Sequence, residues 1–148
     1  MKAHSDFPDI NKRPPIGHRS DGSEFRVLVA DDSVFIIKQL TQILTSESFN
    51  IVGTAVNGEE ALEKYKELHP NVDLVTMDIT MPKMDGITAL TKIMEFDKKA
   101  VIIMISALGK QDLVKQALLS GAKNYVVKPL DRKKVLDRIE MVLQKNYQ

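Results

Sequence analysis

The chain is predicted to fold as a single α/β domain, a doubly wound sheet of five parallel strands with helices on both faces. Three observations carry that prediction. From residue 26 onward five short, nearly continuously apolar runs recur (VLVA, IVGTAV, DLVTM, VIIMI and YVV), and runs of this kind suit strands buried on both faces. Each is followed by a helical apolar pattern and not by a hairpin turn. The loops between them are near the short lengths expected of compact α/β units.

The elements follow in order. The first strand is expected at about Arg26–Ala30, and Ser33 can cap a helix whose Val34, Ile37, Leu40, Ile43 and Leu44 form an apolar stripe. The second strand spans Ile51–Val56. Asn57-Gly58 then turns into a helix over Glu59–Leu68, buried through Ala61, Leu62 and Tyr65 and stopped before Pro70. The third strand covers Asp73–Met77, and a loop through Thr80, Met81, Pro82 and Gly86 leads to a helix over about Ile87–Phe96. The fourth strand is Val101–Ile105, followed by a helix from about Lys110 to Ser120 that Gly121 ends in the left-handed conformation. The fifth strand, Lys123–Val127, and a helix from Asp131 to about Lys145 complete the (βα)5 domain. Right-handed crossovers give a doubly wound sheet. Its strand order, 2-1-3-4-5, is borrowed from flavodoxin-like folds, where it is the known arrangement.

Composition bounds the function. The chain has 148 residues, enough for one well-buried core, and 21 basic against 20 acidic side chains leave no field that favours nucleic acid or an anionic membrane. The absence of cysteine excludes disulfides and thiolate metal sites and suits a reducing cytoplasm. No stretch is long and apolar enough for membrane insertion, and no signal peptide is expected. Residues 1–25 hold Pro8, Pro14, Pro15, Gly17 and Gly22 and few large apolar groups, so they are expected to form a flexible N-terminal extension to a domain at 26–148.

Function is signalled at the strand ends. Asp31 and Asp32 close the first apolar run, Asp78 the third, Ser106 the fourth, and Lys128-Pro129 the fifth. Parallel strands end on one edge, so these groups converge on one crevice, an arrangement unfavourable for stability alone. The first turn is Asp31-Asp32-Ser33, not a glycine-rich phosphate loop, which argues against a dinucleotide, ATP or FMN and for a cation. An all-oxygen donor set without His or Cys suits Mg²⁺ better than zinc. Asp32 and Asp78 are the expected direct ligands, Asp31 acts directly or through water, and the backbone carbonyl of Thr80 is a further candidate. Blander readings stand beside these. Asp31-Asp32 also suits an N-terminal cap, Lys128 a surface charge, Ser106 a strand-end hydroxyl and Tyr125 plain packing.

These motifs, with the MDITMPKMDG segment around Asp78, Ser106-Ala107 and Lys128-Pro129, make the chain from Arg26 to about Lys145 resemble the receiver domains of two-component response regulators. The resemblance implies that Asp78 accepts a phosphoryl group from a phosphohistidine on a histidine kinase, that Lys128 balances its charge after a cis peptide bond to Pro129, and that Ser106 and Tyr125 form the switch. It further implies a readout face with Lys110, Lys115, Lys123 and Tyr125. MDITMPKMDGI and GAKNYVVKP look most like the chemotaxis members of the family, which implies a CheA-like kinase, a FliM-like flagellar motor switch protein and a phosphatase as partners. Ile37 departs from the Arg that many relatives carry there. With no output domain expected after the last helix, the chain is expected to be a cytoplasmic, monomeric, non-enzymatic switch that signals by binding. A single-domain phosphorelay carrier or phosphate sink is the alternative. A Mg²⁺-dependent phosphohydrolase of the haloacid-dehalogenase kind is more distant, since it wants a second Asp where Thr80 stands.

Overall fold

A computed structural model describes residues 13–147. The five strands are β1 (Arg26–Ala30), β2 (Asn50–Ala55), β3 (Leu74–Asp78), β4 (Ile102–Ser106) and β5 (Asn124–Val127), all parallel and ordered 2-1-3-4-5. Between and after them run α1 (Val34–Thr45), α2 (Gly58–Leu68), α3 (Gly86–Phe96), α4 (Gln111–Leu119) and α5 (Arg132–Tyr147). The predicted architecture and strand order are those observed.

The sheet separates two apolar clusters. One gathers Leu28, Val75, Met77, Ile102 and Met104 of the strands with Tyr65, Leu90, Ile93 and Val114 from α2, α3 and α4. The other joins Val27, Val29, Leu74, Ile103 and Ile105 to Leu40, Leu44, Val135 and Ile139 from α1 and α5. Alternate residues of each central strand thus serve opposite faces, which is why these runs are apolar throughout and not every second residue. Each fully buried aliphatic side chain contributes about 1.5–3 kcal/mol.

The helix starts are locally encoded. Ser33 Oγ accepts from the Ile36 amide at 3.3 Å, Asn57 Oδ1 from Glu60 at 2.8 Å and Asp85 Oδ1 from Thr88 at 2.8 Å, each satisfying an otherwise orphaned first-turn donor. Gly121 follows α4 with φ +121°, a conformation that side-chain-bearing residues rarely adopt. Val34 departs from the predicted stripe. It is exposed, because the first turn of α1 rises beyond the strand ends and only Leu40, Ile43 and Leu44 descend fully onto the sheet.

The segment before β1 is the main correction. Residues 1–12 lie outside the described residues, but residues 13–25 are seated on the domain. Gly17 N–H donates to Glu47 O at 2.8 Å, Phe25 N–H donates to Gly17 O at 2.7 Å, and Ile16 N–H donates to Glu47 Oε1 at 3.1 Å. Phe25 is buried against Phe49 and Tyr147, with the Arg19 guanidinium 4.5 Å above its ring. Low apolar content misleads here, since one buried phenylalanine, the Glu47 contacts and a second carboxylate suffice to hold a short segment.

That carboxylate is Asp73, just before β3. It pairs with Arg19, accepts from Arg26 Nε at 2.9 Å and from the Arg26 amide at 2.8 Å, and its carbonyl accepts from Tyr147 Oη at 2.6 Å. The Tyr147 contact extends α5 beyond Lys145. Burial alone would raise the Asp73 pKa, but hydrogen bonds from the side chain and amide of Arg26 and from Arg19 outweigh it and hold the carboxyl below its ordinary range. Asp73→Asn is expected to lower the unfolding free energy by about 3 kcal/mol in urea at pH 7, because two guanidinium groups lose their partner. Since the folded pKa lies below the unfolded value of about 3.9, this contribution is whole above that pH and lost as pH falls through the folded pKa. The variant and the parent should therefore converge in strongly acidic solution.

Candidate functional site

The strand ends place their polar groups together at the carboxyl edge of the sheet. β1 ends at Ala30, and the Asp31 amide still donates to Ala55 O at 3.0 Å, which fixes the backbone of the first turn. Asp31 is fully buried, and its Oδ1 accepts from the Ser33 amide at 2.9 Å. Asp32 is exposed. Asp78 is the last residue of β3, paired in register with Ile105 and only 4% exposed.

The loop after Asp78 returns tightly. Ile79 N–H donates to Ile105 O at 3.1 Å, and Gly86 N–H donates to Ile79 O at 2.7 Å. A Cβ at Gly86 would lie 1.9 Å from the Asp78 carbonyl oxygen, so only glycine permits α3 to begin this close to the site. Thr80 sits exposed on this loop, lining a groove with Asp85, Thr88 and Lys110 beside the start of α3.

Lys128 enters from the end of β5. Its amide donates to Ser106 O at 2.7 Å, its bond to Pro129 is cis as the resemblance implies, and its Nζ lies 3.2 Å from Asp31 Oδ2 and 3.4 Å from Asp78 Oδ1. One ammonium therefore faces two buried carboxylates. The imbalance shows in their protonation. Burial, with the charge of Asp31 next and against the attraction of Lys128, pushes Asp78 up to about 7, and burial likewise raises Asp31.

Oxygen atoms of Asp31, Asp32 and Asp78 lie within 4.8 Å of one another, close to the span of about 4 Å between opposite ligands of an octahedral magnesium. Asp31 Oδ2 is also buried, and its charged neighbour, the Lys128 ammonium at 3.2 Å, is not in hydrogen-bond geometry, leaving a lone pair for a cation. This donor set of hard oxygens is compatible with Mg²⁺.

Ser106 ends β4, buried, and its hydroxyl donates to Ala107 O at 3.0 Å and not to Asp78. It lines a cavity of about 400 Å³ that runs under α4 to Lys110, Lys115, Leu118 and Tyr125. Tyr125 is half-buried, and Lys123 stands exposed just before β5. Lys110, Lys115 and Tyr125 thus line one cavity, and Lys123 is not part of its lining. Arg138 of α5 is a contact of Tyr125 that sequence reading missed. Its guanidinium donates to Tyr125 O at 2.9 Å and to Asn124 Oδ1 at 3.0 Å and lies 5.2 Å from the Tyr125 ring centroid. In the sequence it is one basic residue among several on α5, with nothing to separate it from a solvated helix face.

Residues 27–140 match the response regulator receiver domain family. The chain belongs to this family. It is 64% identical over 144 residues to the chemotaxis protein CheY of Treponema pallidum, covering 97% of this chain and all of that protein. It is 49% identical to CheY of Bacillus subtilis over 80% of this chain and 97% of that one. Among solved structures, the CheX-CheY-BeF3-Mg complex of Borrelia burgdorferi superposes with a TM-score of 0.86 at 63% identity, covering 88% of this chain and 98% of that one. The chain is therefore a CheY-like chemotaxis response regulator of two-component systems.

The raised Asp78 pKa has a consequence for stability. The folded state holds a proton that the unfolded carboxyl releases near pH 4, so in metal-free protein this residue's contribution declines as pH rises from about 4 through about 7. Asp78→Asn should be more stable than the parent at pH 8 by on the order of 2 kcal/mol, with the gap closing toward pH 5, as read by urea unfolding in chelator.

Proposed function

We propose that the chain is a Mg²⁺-dependent phosphoacceptor switch, phosphorylated on Asp78 by a CheA-like histidine kinase and then binding a FliM-like flagellar motor switch protein. The observation that carries this reading is the Asp78 carboxylate at the end of β3, opposite the Lys128 ammonium and beside two further acids. A carboxylate oxygen of Asp78 attacks phosphorus in line with the phosphohistidine P–N bond. The P–O bond forms as the P–N bond breaks, and the electron pair leaves on the imidazole nitrogen.

Asp31, Asp32, Asp78 and the Thr80 carbonyl would hold the magnesium, which neutralises charge on the phosphoryl oxygens. Lys128 orients and balances one of those oxygens from the opposite side. Ser106 is then the hydroxyl that turns from Ala107 toward the new phosphoryl group, opening room for Tyr125 beneath α4. A shift of this pair from 1:99 to 99:1 requires about 5.5 kcal/mol of differential stabilisation, within reach of a dianion held by a metal and an ammonium.

The face that changes holds Lys110, Lys115, Lys123 and Tyr125. A FliM-like partner meets it in the phosphorylated state. The Borrelia relative was solved with CheX, BeF3 and Mg, which supports a CheX-like partner here as well; a phosphatase acting on Asp78 completes the set. The protein works as a cytoplasmic monomer and a non-enzymatic switch that only takes up and hydrolyses its own aspartyl phosphate. Among the described residues no helix is long and apolar enough to cross a membrane.

Incubation with acetyl phosphate or a phosphorylated kinase should label the parent only with Mg²⁺, and Asp78→Asn should remain unlabelled under both conditions. Labelling of the variant equal to the parent sinks the assignment. A FliM N-terminal peptide should bind about tenfold more tightly when beryllofluoride and Mg²⁺ are present. An unchanged affinity would favour a phosphorelay carrier or phosphate sink over a motor ligand.

A further inference from the structure

The turn between β2 and α2 contributes no acid to the site, yet it touches both loops that serve it. At its start Ala55 O accepts from the Asp31 amide at 3.0 Å, which ties the Asp31-Asp32 turn to the end of β2. Further along, the Gly58 N–H donates to Met84 O at 2.9 Å, at the far end of the loop that carries Thr80. The approach is closer than a side chain allows. A Cβ at Gly58 would lie 2.1 Å from Met84 O, 2.7 Å from its carbonyl carbon and 2.9 Å from its Cβ. The first two of these atoms are backbone, which no rotamer change moves aside.

The turn is itself held from outside the site. Asn57 is buried and its Oδ1 accepts from the Glu60 amide at 2.8 Å, while Glu60 Oε1 accepts from the Val56 amide at 3.1 Å. This reciprocal cap fixes the entry of the chain into α2. The Thr80 loop opposite is short and closed. Gly86 N–H donates to Ile79 O at 2.7 Å, Met84 N–H donates to Pro82 O at 2.7 Å, and Lys83 is left-handed at φ +67°. Ile79 N–H is also tied to Ile105 O at 3.1 Å, so the base of the loop cannot absorb a displacement at Met84, and the residues around Thr80 must carry it.

We propose that Gly58 is a positioning residue for the magnesium site. Acting through Met84, its amide sets the Thr80 loop against the Asp31-Asp32 turn, so residue 58 tunes metal affinity without touching the metal. The inference rests on the reading of Asp31, Asp32, Asp78 and the Thr80 carbonyl as the ligands, and it extends that reading to a turn that supplies no donor atom. Ligand spacing matters because Mg²⁺ demands near-ideal octahedral geometry. Groups that orient ligands from behind typically weigh on affinity by about 10–100-fold. The coupling is reciprocal: if the Gly58 bond to Met84 favours the metal, the metal strengthens that bond by the same factor.

Mg²⁺ titrations of the full-length protein, followed by the amide signals of Asp32 and Thr80, test the proposal. Gly58→Ala should bind Mg²⁺ about tenfold or more weakly than the parent. Gly121→Ala is the control, since φ +121° and Met94 at 3.1 Å make it costly away from the site; it should lose stability in urea and keep the parent's affinity. Affinity in Gly58→Ala equal to the parent's, or an equal loss in Gly121→Ala, would overturn the proposal. Hydrogen exchange in the parent gives a measurement that needs no variant to fold. Saturating Mg²⁺ should slow the Gly58 amide about tenfold more than the Gly17 amide, which is bonded to Glu47 O at 2.8 Å at the other edge of the sheet; equal slowing overturns it. Asp78→Asn separates this inference from the reading beneath it. A parent that binds Mg²⁺ no more tightly than Asp78→Asn overturns both, whereas tighter binding by the parent, matched by Gly58→Ala, removes only the role of Gly58.

Discussion

Burial of more carboxylate than ammonium at one edge of the sheet is the constraint around which this molecule is arranged. Asp31 and Asp78 are both sealed from water, and among the described residues Lys128 alone reaches both. Such a group of charges costs stability unless a proton or cation joins it, and Asp78 accordingly holds its proton to about pH 7. Parallel topology forces the cost, because every strand delivers its last residue to the same edge. The rest of the fold supports that edge: the tight turn at Gly86, the Asp31 amide on Ala55, and the Lys128 amide on Ser106 keep the three backbones in place.

The amino edge is organised in the opposite sense. Asp73 is buried too, but Arg19 and Arg26 pair with its carboxylate, so its charge is satisfied within the protein, and the Tyr147 hydroxyl donates to its backbone carbonyl. One end of the sheet is thus electrostatically complete and serves stability, while the other is left short of positive charge. Burial pushes the pKa up at both ends, but at Asp73 the hydrogen bonds from Arg26 and Arg19 outweigh it, while at Asp78 the charge of Asp31 adds to it. This polarity is what a domain needs if ligand binding at one end is to change a surface without loosening the whole.

The path from that charged edge to the outside is short. Ser106 belongs both to the strand end beside Asp78 and to the wall of the cavity under α4, and Tyr125 borders the same cavity. Arg138 holds the backbone of β5 at Tyr125 and Asn124, so the aromatic ring sits on a fixed strand beside open space. The open cavity beside this strand leaves room for the Ser106 loop and the Tyr125 ring to repack. That is the physical basis on which the proposed switch depends.

Much of this was legible in the chain alone. Apolar runs alternating with helical stripes define the strands, the helices and the edge at which they end, because those patterns report local burial directly; Ser33, Asn57 and Gly121 likewise announce the helix boundaries through short-range chemistry. Only the tertiary structure decided that Asp31 is sealed while Asp32 is exposed, that Ser106 donates to Ala107, that Arg138 braces β5, and that residues 13–25 are held on the domain instead of trailing from it. Arg26 and Asp73 are 47 residues apart, and Asp73 and Tyr147 are 74 apart. Periodicity tells which side of an element is buried, but which distant residues meet there depends on how the completed sheet and helices pack, and no local pattern contains that information.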